Sequence, residues 1–279
     1  MKIKISADST CDLSPELIEQ FQIGIIPLHI CIGDSSYRDM LEINPETLFK
    51  HVDAGEPYHT AGVNVQEYLD AFGDYLQEYD AVVHFTICSD MSSCYQNACI
   101  AAQELGNVYV VDSRNLSTGI GHLVLDAAEL AAQGVAAEDI KRELDARKEK
   151  LDVSFVLATL EYLQKGGRCS AVVALGANLL KLRPCVQVRD GAMRVGKKFR
   201  GNMDKCYLDY IREALSQKET IDTRRIFITD SGLTAEQRKM MEDEVRSILP
   251  FQEIYHTEAG CTISGHCGPH CMGVLFYRK

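Results

Sequence analysis

Hydrophobic residues along the first half of the chain form short strand-like runs that alternate with longer stretches of helical spacing. Lys2 to Ala7 alternates toward one apolar face, and the apolar runs Ile25 to Ile32, Ala81 to Ile87 and Val108 to Val111 predict further strands. Residues 65 to 79 carry apolar side chains three and four positions apart, which predicts an amphipathic helix. Strands that alternate with helices of this length indicate βαβ units and a mostly parallel sheet.

Capping residues mark where several helices begin. Ser14 and Asn44 each stand before a proline, which is favoured at the first helical position. Asn64 and Glu67 have the spacing of a capping box. Ser92 follows the run that ends at Ile87, and its hydroxyl predicts the N-cap of the next helix.

The pattern changes near residue 150, which predicts a boundary between an N-terminal α/β domain, residues 1–150, and a C-terminal α/β domain, residues 151–279. In the second domain Asp190-Gly191 predicts a hairpin turn. Val172 to Leu180 is apolar all round, which indicates a buried helix or the wall of an apolar pocket. The remaining predicted elements are strands at Val153 to Ala158, Arg225 to Thr229, Phe251 to Tyr255 and Met272 to Tyr277, and helices at 203–216 and 234–248.

Charge and composition exclude several classes of partner. The 279 residues carry a formal net charge of −11 and no Lys/Arg-rich tract, which argues against nucleic acid or an anionic membrane surface as the main partner. No apolar run approaches the roughly 20 residues of a membrane span, and no secretory signal is recognisable. We expect a cytoplasmic protein without an integral membrane segment, in which the 11 cysteines are reduced thiols.

Small polar residues follow the predicted parallel strands, where ligands of such sheets bind. The residues expected at this edge are Asp8, Ser9, Ser89, Ser92, Asp112 and Ser113. Tyr58 to Gly62, a run of small residues, predicts a loop. Neither of the two glycine-rich phosphate-binding fingerprints is present, so we expect no nucleotide cofactor.

Three kinds of chemistry are compatible with these residues. Ser92 and His266 could serve as the nucleophile and base of a serine hydrolase or acyltransferase, but no G-x-S-x-G elbow surrounds the serine. The same hydroxyl and imidazole suit a buried carboxylate ligand, which is the simpler interpretation. The dense cysteines and histidines of residues 261–271 suggest a metal-binding module, but their spacing is crowded, and buried thiols in a glycine-rich turn are favoured.

Several motifs together resemble the DegV family over the whole length of the chain. Asp8-Ser9 with Asp12-Leu13 resembles the family's opening D-S-x-x-D-L. The further matches are Met91 to Tyr95 for L-S-G-T-Y, Val111 to Ser113 with Gly119 and Gly121, Leu160 to Leu163 leading into Gly166-Gly167-Arg168, Pro184 before Asp190-Gly191, Arg200 after Lys197 and Lys198, and His266-x-Gly268-Pro269 for H-x-G-P-G. The chain also departs from the family pattern. T-S-Q-P-S is here Thr60-Ala61-Gly62-Val63-Asn64, which lacks one hydroxyl and the proline, and the positions after Ser92 and at the last glycine of H-x-G-P-G are Ser93, Cys94 and His270.

The resemblance implies two α/β domains with a long-chain fatty acid, such as palmitate, in a slot between them and its tail in the second domain. Carried over by position, Thr60 and Ser92 would hold the carboxylate and His266 would lie beside them, while Arg168 and Arg200 are candidates for contact with the ligand or a partner. The family's lipid-binding subunit is not itself an enzyme. A separate fatty acid kinase subunit supplies ATP and phosphorylates the bound acid, which serves lipid metabolism.

Overall fold

The computed structural model describes residues 1–167 and 182–279. It consists of two compact units, the first formed by residues 1–149 with 260–262 and the second by residues 150–259 with 263–279. Each unit combines a β-sheet with helices, so the predicted mixed α/β class is confirmed. Residues 260–262 join the first unit although the chain on both sides of them belongs to the second.

The first unit is built on a parallel sheet, as its alternating pattern predicts. Its strands are β1 (Ile3–Asp8), β2 (Gly24–Ile26), β6 (Ala81–Thr86) and β7 (Val108–Asp112). They lie in the order β2-β1-β6-β7, and all three pairings are parallel. Parallel strands need crossover connections, which helices supply here.

Helices of the first unit begin largely where capping residues predict them. They are α1 (Pro15–Gln20), α2 (Pro45–Asp53), α3 (Val65–Leu76), α4 (Cys94–Leu105), α5 (Thr118–Ala132) and α6 (Ala137–Arg147). The side chains of Ser14 and Asn44 accept hydrogen bonds from the first turns of α1 and α2. Asn64 and Glu67 form the predicted capping box at the start of α3.

Two predictions in the first unit are wrong. The run Ile25 to Ile32 is not one strand, because the chain leaves the parallel sheet after β2 and begins β3 (His29–Ile32) in a second sheet. Tyr58 to Gly62 is not simply a loop, since Tyr58–Ala61 forms β5. With β4 (Ser35–Arg38), these strands make an antiparallel sheet of order β4-β3-β5. Pairing with a distant strand supplies the backbone hydrogen bonds of β5, which local composition cannot reveal.

The second unit has a mixed sheet of order β10-β9-β8-β13-β11-β12. The strands are β8 (Leu151–Val156), β9 (Leu182–Arg189), β10 (Ala192–Arg200), β11 (Ile221–Asp230), β12 (Glu253–Glu258) and β13 (Met272–Arg278). Only the β11–β12 pairing is parallel among these described strands. The predicted hairpin at Asp190-Gly191 is confirmed between β9 and β10.

Helices α7 (Glu161–Gly166), α8 (Met203–Ala214) and α9 (Ala235–Ile248) belong to the second unit. Helix α10 (Cys261–Cys267) replaces the first part of the predicted glycine-rich turn. The predicted apolar segment Val172 to Leu180 lies outside the described residues. Across the described ranges, no helix has the length and apolar character needed to cross a membrane.

Candidate functional site

The carboxyl edge of the parallel sheet gathers the polar residues that the sequence places after the strands. In the order β2-β1-β6-β7, the strand order reverses between β1 and β6, the position where such sheets bind ligands. At the end of β1, Asp8 accepts a hydrogen bond from the backbone N–H of Ile87, at 2.8 Å. Ser89 donates to Asp112 Oδ2 at 2.6 Å, so the ends of the neighbouring strands are linked by polar contacts.

Three buried acidic residues at this edge accept hydrogen bonds from neighbouring parts of the chain and so stabilise the fold. Asp8 also accepts from the backbone and the hydroxyl of Thr10, and burial raises the pKa of its carboxyl group to about 6. Asp12 accepts from Ser117 Oγ at 2.5 Å and from Gly260 N at 2.9 Å, and burial raises its pKa as well. The carboxylates of the D-S-x-x-D-L motif are therefore already occupied by neighbouring residues.

Asp39 is the third of these acids, and the sequence did not single it out. It is completely buried and accepts from Ser9 Oγ at 3.0 Å. It also accepts from the backbone of Cys261 at 2.8 Å and from Thr262 Oγ1 at 2.6 Å. Asp39 and Asp12 together hold residues 260–262 in the first unit. No spacing rule connects an acid at position 39 with a backbone more than two hundred residues away.

Ser92 lies just before α4, one residue ahead of the N-cap position that the helix boundary defines. Ser93 occupies that position in a helical backbone conformation, and its side chain makes no capping hydrogen bond. The hydroxyl of Ser92 instead accepts from Cys94 N at 3.3 Å and donates to Cys94 Sγ at 3.1 Å. The helix boundary therefore lies one residue later than the sequence predicts, but the expected capping hydrogen bond, from an amide of the first turn to the hydroxyl of Ser92, is present.

The segment after β5 passes directly beside Ser92. A Cβ atom at Gly62 would lie 3.1 Å from Ser92 Oγ, 3.2 Å from Ser93 Oγ and 3.1 Å from Cys94 Sγ. Glycine at position 62 therefore lets the backbone approach three side-chain heteroatoms closely. Asn97 fixes this approach by donating from Nδ2 to Val63 O at 2.8 Å.

Thr60 lies in β5, two residues before this contact, where it pairs with Ile30 of β3. The structure thus brings the segments that carry Thr60 and Ser92 together within the first unit. Cys94 is buried, and burial raises the pKa of its thiol to about 11, so the thiol beside Ser92 is neutral at pH 7.

His266 lies on α10 in the second unit and packs against α7. A Cβ atom at Gly166 would overlap His266 Nδ1, so only glycine fits there without displacement. Similarly, a Cβ at Gly268 would lie 2.5 Å from Tyr162 Cδ2, and Gly268 has a φ of +79°. The two motifs of the second unit, about a hundred residues apart in sequence, thus pack together through their glycines.

The other candidates do not add to this site. Arg200 is exposed at the end of β10, and Arg168 lies outside the described residues. Among residues 1–167 and 182–279, no group of three or more histidine, cysteine or acidic side chains is arranged to hold a metal ion. Cys267 and Cys271 are buried, and a hydrogen bond between their thiols raises the pKa of Cys271.

The fold and the site define an α/β protein of two units. In the first unit, serine hydroxyl groups lie at the carboxyl edge of a parallel sheet, and in the second unit His266 packs against Gly166. The chain belongs to the DegV family, whose model, described as an uncharacterised protein of that family, matches residues 2–279. A DegV domain-containing protein of Clostridium acetobutylicum is 34% identical over 283 residues, which cover 100% of this chain and 99% of the relative.

Solved structures give the same result. A DegV family protein from Thermus thermophilus, described for its fatty acid binding, is 30% identical with a TM-score of 0.90 and 100% of both chains covered. A Thermotoga maritima protein, described as revealing a fatty acid binding function, is 27% identical with a TM-score of 0.86, again covering 100% of both chains.

Proposed function

We propose that this protein binds a long-chain fatty acid such as palmitate, with the carboxylate held by Thr60, Ser92 and His266. The observation that carries the proposal is the approach of the segment after Thr60 to the hydroxyl of Ser92, across Gly62. The fatty acid binding described for the Thermus thermophilus and Thermotoga maritima relatives supports it.

The local contacts of Ser92 suit a hydroxyl that changes its acceptor when a ligand binds. Its present acceptor is the neutral thiol of Cys94, and sulfur is a weak hydrogen-bond acceptor. A carboxylate accepts a stronger, charge-assisted hydrogen bond, so exchanging the thiol for a ligand oxygen favours binding. The buried acids Asp8, Asp12 and Asp39 already accept hydrogen bonds from other donors.

The acyl chain supplies most of the binding free energy in this proposal, at about 0.8 kcal/mol for each buried methylene. The apolar residues Val172 to Leu180 are our candidates for contact with it, on the basis of their sequence. Arg168 and Arg200 are candidates for contact with the ligand or with a partner protein.

We further propose that the protein is a non-catalytic lipid carrier without a cofactor, acting in the cytoplasm in lipid transport or fatty acid metabolism. It would present the bound acid to a separate kinase subunit that supplies ATP and forms the acyl phosphate. The absence from the sequence of both glycine-rich phosphate-binding fingerprints supports this division of labour.

The test is to extract small molecules from the denatured protein, purified from bacteria, and to identify them by mass spectrometry. We expect a long-chain fatty acid in the unchanged protein and at least fivefold less in Ser92→Ala. Ser35→Ala, an exposed serine of β4, is the matched control and should retain the lipid.

Two results would contradict the proposal. One is the absence of lipid from all three proteins together with failure to load palmitate in vitro. The other is turnover of acyl esters with labelling of Ser92 by an activated phosphonate, which would establish the serine hydrolase or acyltransferase that uses Ser92 and His266.

A further inference from the structure

The second unit contains a cavity of about 300 Å³ that the proposed function does not use. It lies against strands β8, β9 and β10 and the C-terminal part of α8. The pairing of β9 with β10 shifts between Val195 and Lys198, and the residues at this irregularity, Gly196 and Lys197, line the cavity. The volume is at the lower end of the range of small-molecule sites, with room for about ten non-hydrogen atoms at ~30 Å³ each.

The described residues of the cavity wall carry a positive charge overall. Among them, Arg189, Lys197 and Arg278 carry three positive charges and Asp152 and Glu213 two negative charges, which leaves +1. The whole chain, by contrast, carries −11. An anion that approaches this acidic protein is therefore attracted locally to the cavity.

The two arginines of the cavity differ in their hydrogen bonds: Arg278 is held by two bonds to Asp152, whereas Arg189 has N–H groups that are not used by Asp152. Arg278 binds the carboxylate of buried Asp152 through Nε at 2.8 Å and Nη2 at 2.6 Å. Arg189 binds the other oxygen of Asp152 through Nη2 at 3.1 Å. Within the described residues, the guanidinium of Arg189 makes this single hydrogen bond. Its Nε and Nη1 can therefore still donate to an anionic oxygen.

The remaining lining is compact and neutral. Tyr210 packs edge-on against Phe199, with ring centroids 6.2 Å apart. Its hydroxyl donates to Ser154 O at 2.6 Å and lies 2.9 Å from Ser154 Oγ. An acyl chain would desolvate the charged groups here without pairing them, which costs free energy, so a lipid tail is a poor occupant.

We propose that this cavity binds a small organic anion, whose carboxylate or phosphate group is held by Arg189 and whose compact body lies beside Phe199. The described residues that line this cavity do not include Thr60, Ser92 or His266, which are proposed to hold the fatty acid carboxylate, so the two anion sites are distinct. Carboxylate and phosphate share the recognition by the planar guanidinium fork, and the experiment separates them.

The test is isothermal titration calorimetry of the full chain with three probes: benzoate, phenyl phosphate and inorganic phosphate. We expect saturable binding of at least one organic probe. Arg189→Gln should weaken it at least tenfold, while Asp152 keeps its two bonds to Arg278. Ala214→Leu should weaken binding by a similar factor, because it reduces the volume and leaves every charge in place.

The matched control is Arg194→Gln, which removes an exposed arginine of the same hairpin that does not line the cavity. Its affinity should stay within twofold of the unchanged protein. Tighter binding of phenyl phosphate than of benzoate would identify phosphate as the recognised group, and the reverse order would identify carboxylate. The absence of saturable binding for all three probes, or an equal loss in Arg194→Gln, would overturn the proposal.

Discussion

The buried acids at the carboxyl edge of the first unit differ in their hydrogen-bond partners from Asp152 and Asp230 of the second unit. In the first unit, Asp8, Asp12 and Asp39 are surrounded by neutral donors, namely hydroxyls and backbone N–H groups. In the second unit, Asp152 and Asp230 are paired with arginines, Asp230 with Arg238 at 2.7 Å.

Neutral hydrogen-bond donors and arginines have different effects on the negative charge of a buried carboxylate. Neutral donors replace part of the lost hydration but carry no positive charge, so burial still raises the pKa values of Asp8 and Asp12. An arginine brings a positive charge next to the buried carboxylate, and its planar guanidinium can form two hydrogen bonds at once, so the pair acts as a rigid connection. The carboxyl edge of the first unit is thus sensitive to pH, whereas the acids of the second unit fix strand ends and helices.

The largest effect is expected for Asp39→Ala. The substitution leaves donors of Ser9, Cys261 and Thr262 buried without an acceptor, which should lower the free energy of unfolding by about 3–4 kcal/mol. Urea unfolding followed by circular dichroism measures this change. Asp34→Ala, at an exposed turn, is the control and should change the value by less than about 0.5 kcal/mol. Equal effects of the two variants would show that Asp39 does not hold residues 260–262.

In the second unit, Arg238→Gln should lower the free energy of unfolding by about 2 kcal/mol. The substitution removes the cation beside completely buried Asp230, which keeps the hydrogen bond from Leu233 N at 2.9 Å. Because Arg238 is partly exposed, the loss is smaller than for a fully buried ion pair. Arg246→Gln removes an exposed pair within α9 and should cost about 0.5 kcal/mol or less. The same urea titration compares them, and similar losses would mean that burial of the acid is irrelevant.

The pH dependence of stability should distinguish the units next. The pKa of Asp8 is about 6 in the folded protein and near 3.8 when unfolded, so between these values the folded state binds the extra proton. Stability from this group therefore increases as the pH falls from 7 to 4, by an amount on the order of 1–3 kcal/mol. Asp8→Asn should flatten this part of the profile. An unchanged slope in the variant would show that Asp8 titrates normally.

The smallest change in stability, with a clear functional effect, is expected for Gly62→Ala. The added methyl group meets Ser92, Ser93 and Cys94 at 3.1–3.2 Å, so we expect a loss of about 1 kcal/mol or less but at least fivefold less bound fatty acid. Gly73→Ala in α3 has no neighbour within 4 Å and should be neutral or stabilising by up to about 1 kcal/mol, with full lipid content. Mass spectrometry of the extracted lipid provides the measurement. Retention of lipid in Gly62→Ala would separate this contact from the head-group site.

Local sequence signals predicted the elements whose causes are local. The capping box of Asn64 and Glu67 and the turn at Asp190-Gly191 involve residues close in sequence, so their patterns are sufficient. The alternating strands and helices of the first unit likewise imply crossovers and hence a parallel sheet, with its polar residues at one edge.

Only the tertiary structure decided the contacts between distant segments. Three contacts of this kind are the pairing of β5 with β3, the hydrogen bonds of Asp39 to residues 260–262, and the packing of Gly166 against His266. They join positions from 26 to 223 residues apart. Propensity and spacing describe a residue's neighbours along the chain, whereas such contacts depend on which surfaces the folded sheets bring together. The sequence by itself therefore determined the class of fold and the residue types of the site, and packing determined which of them meet.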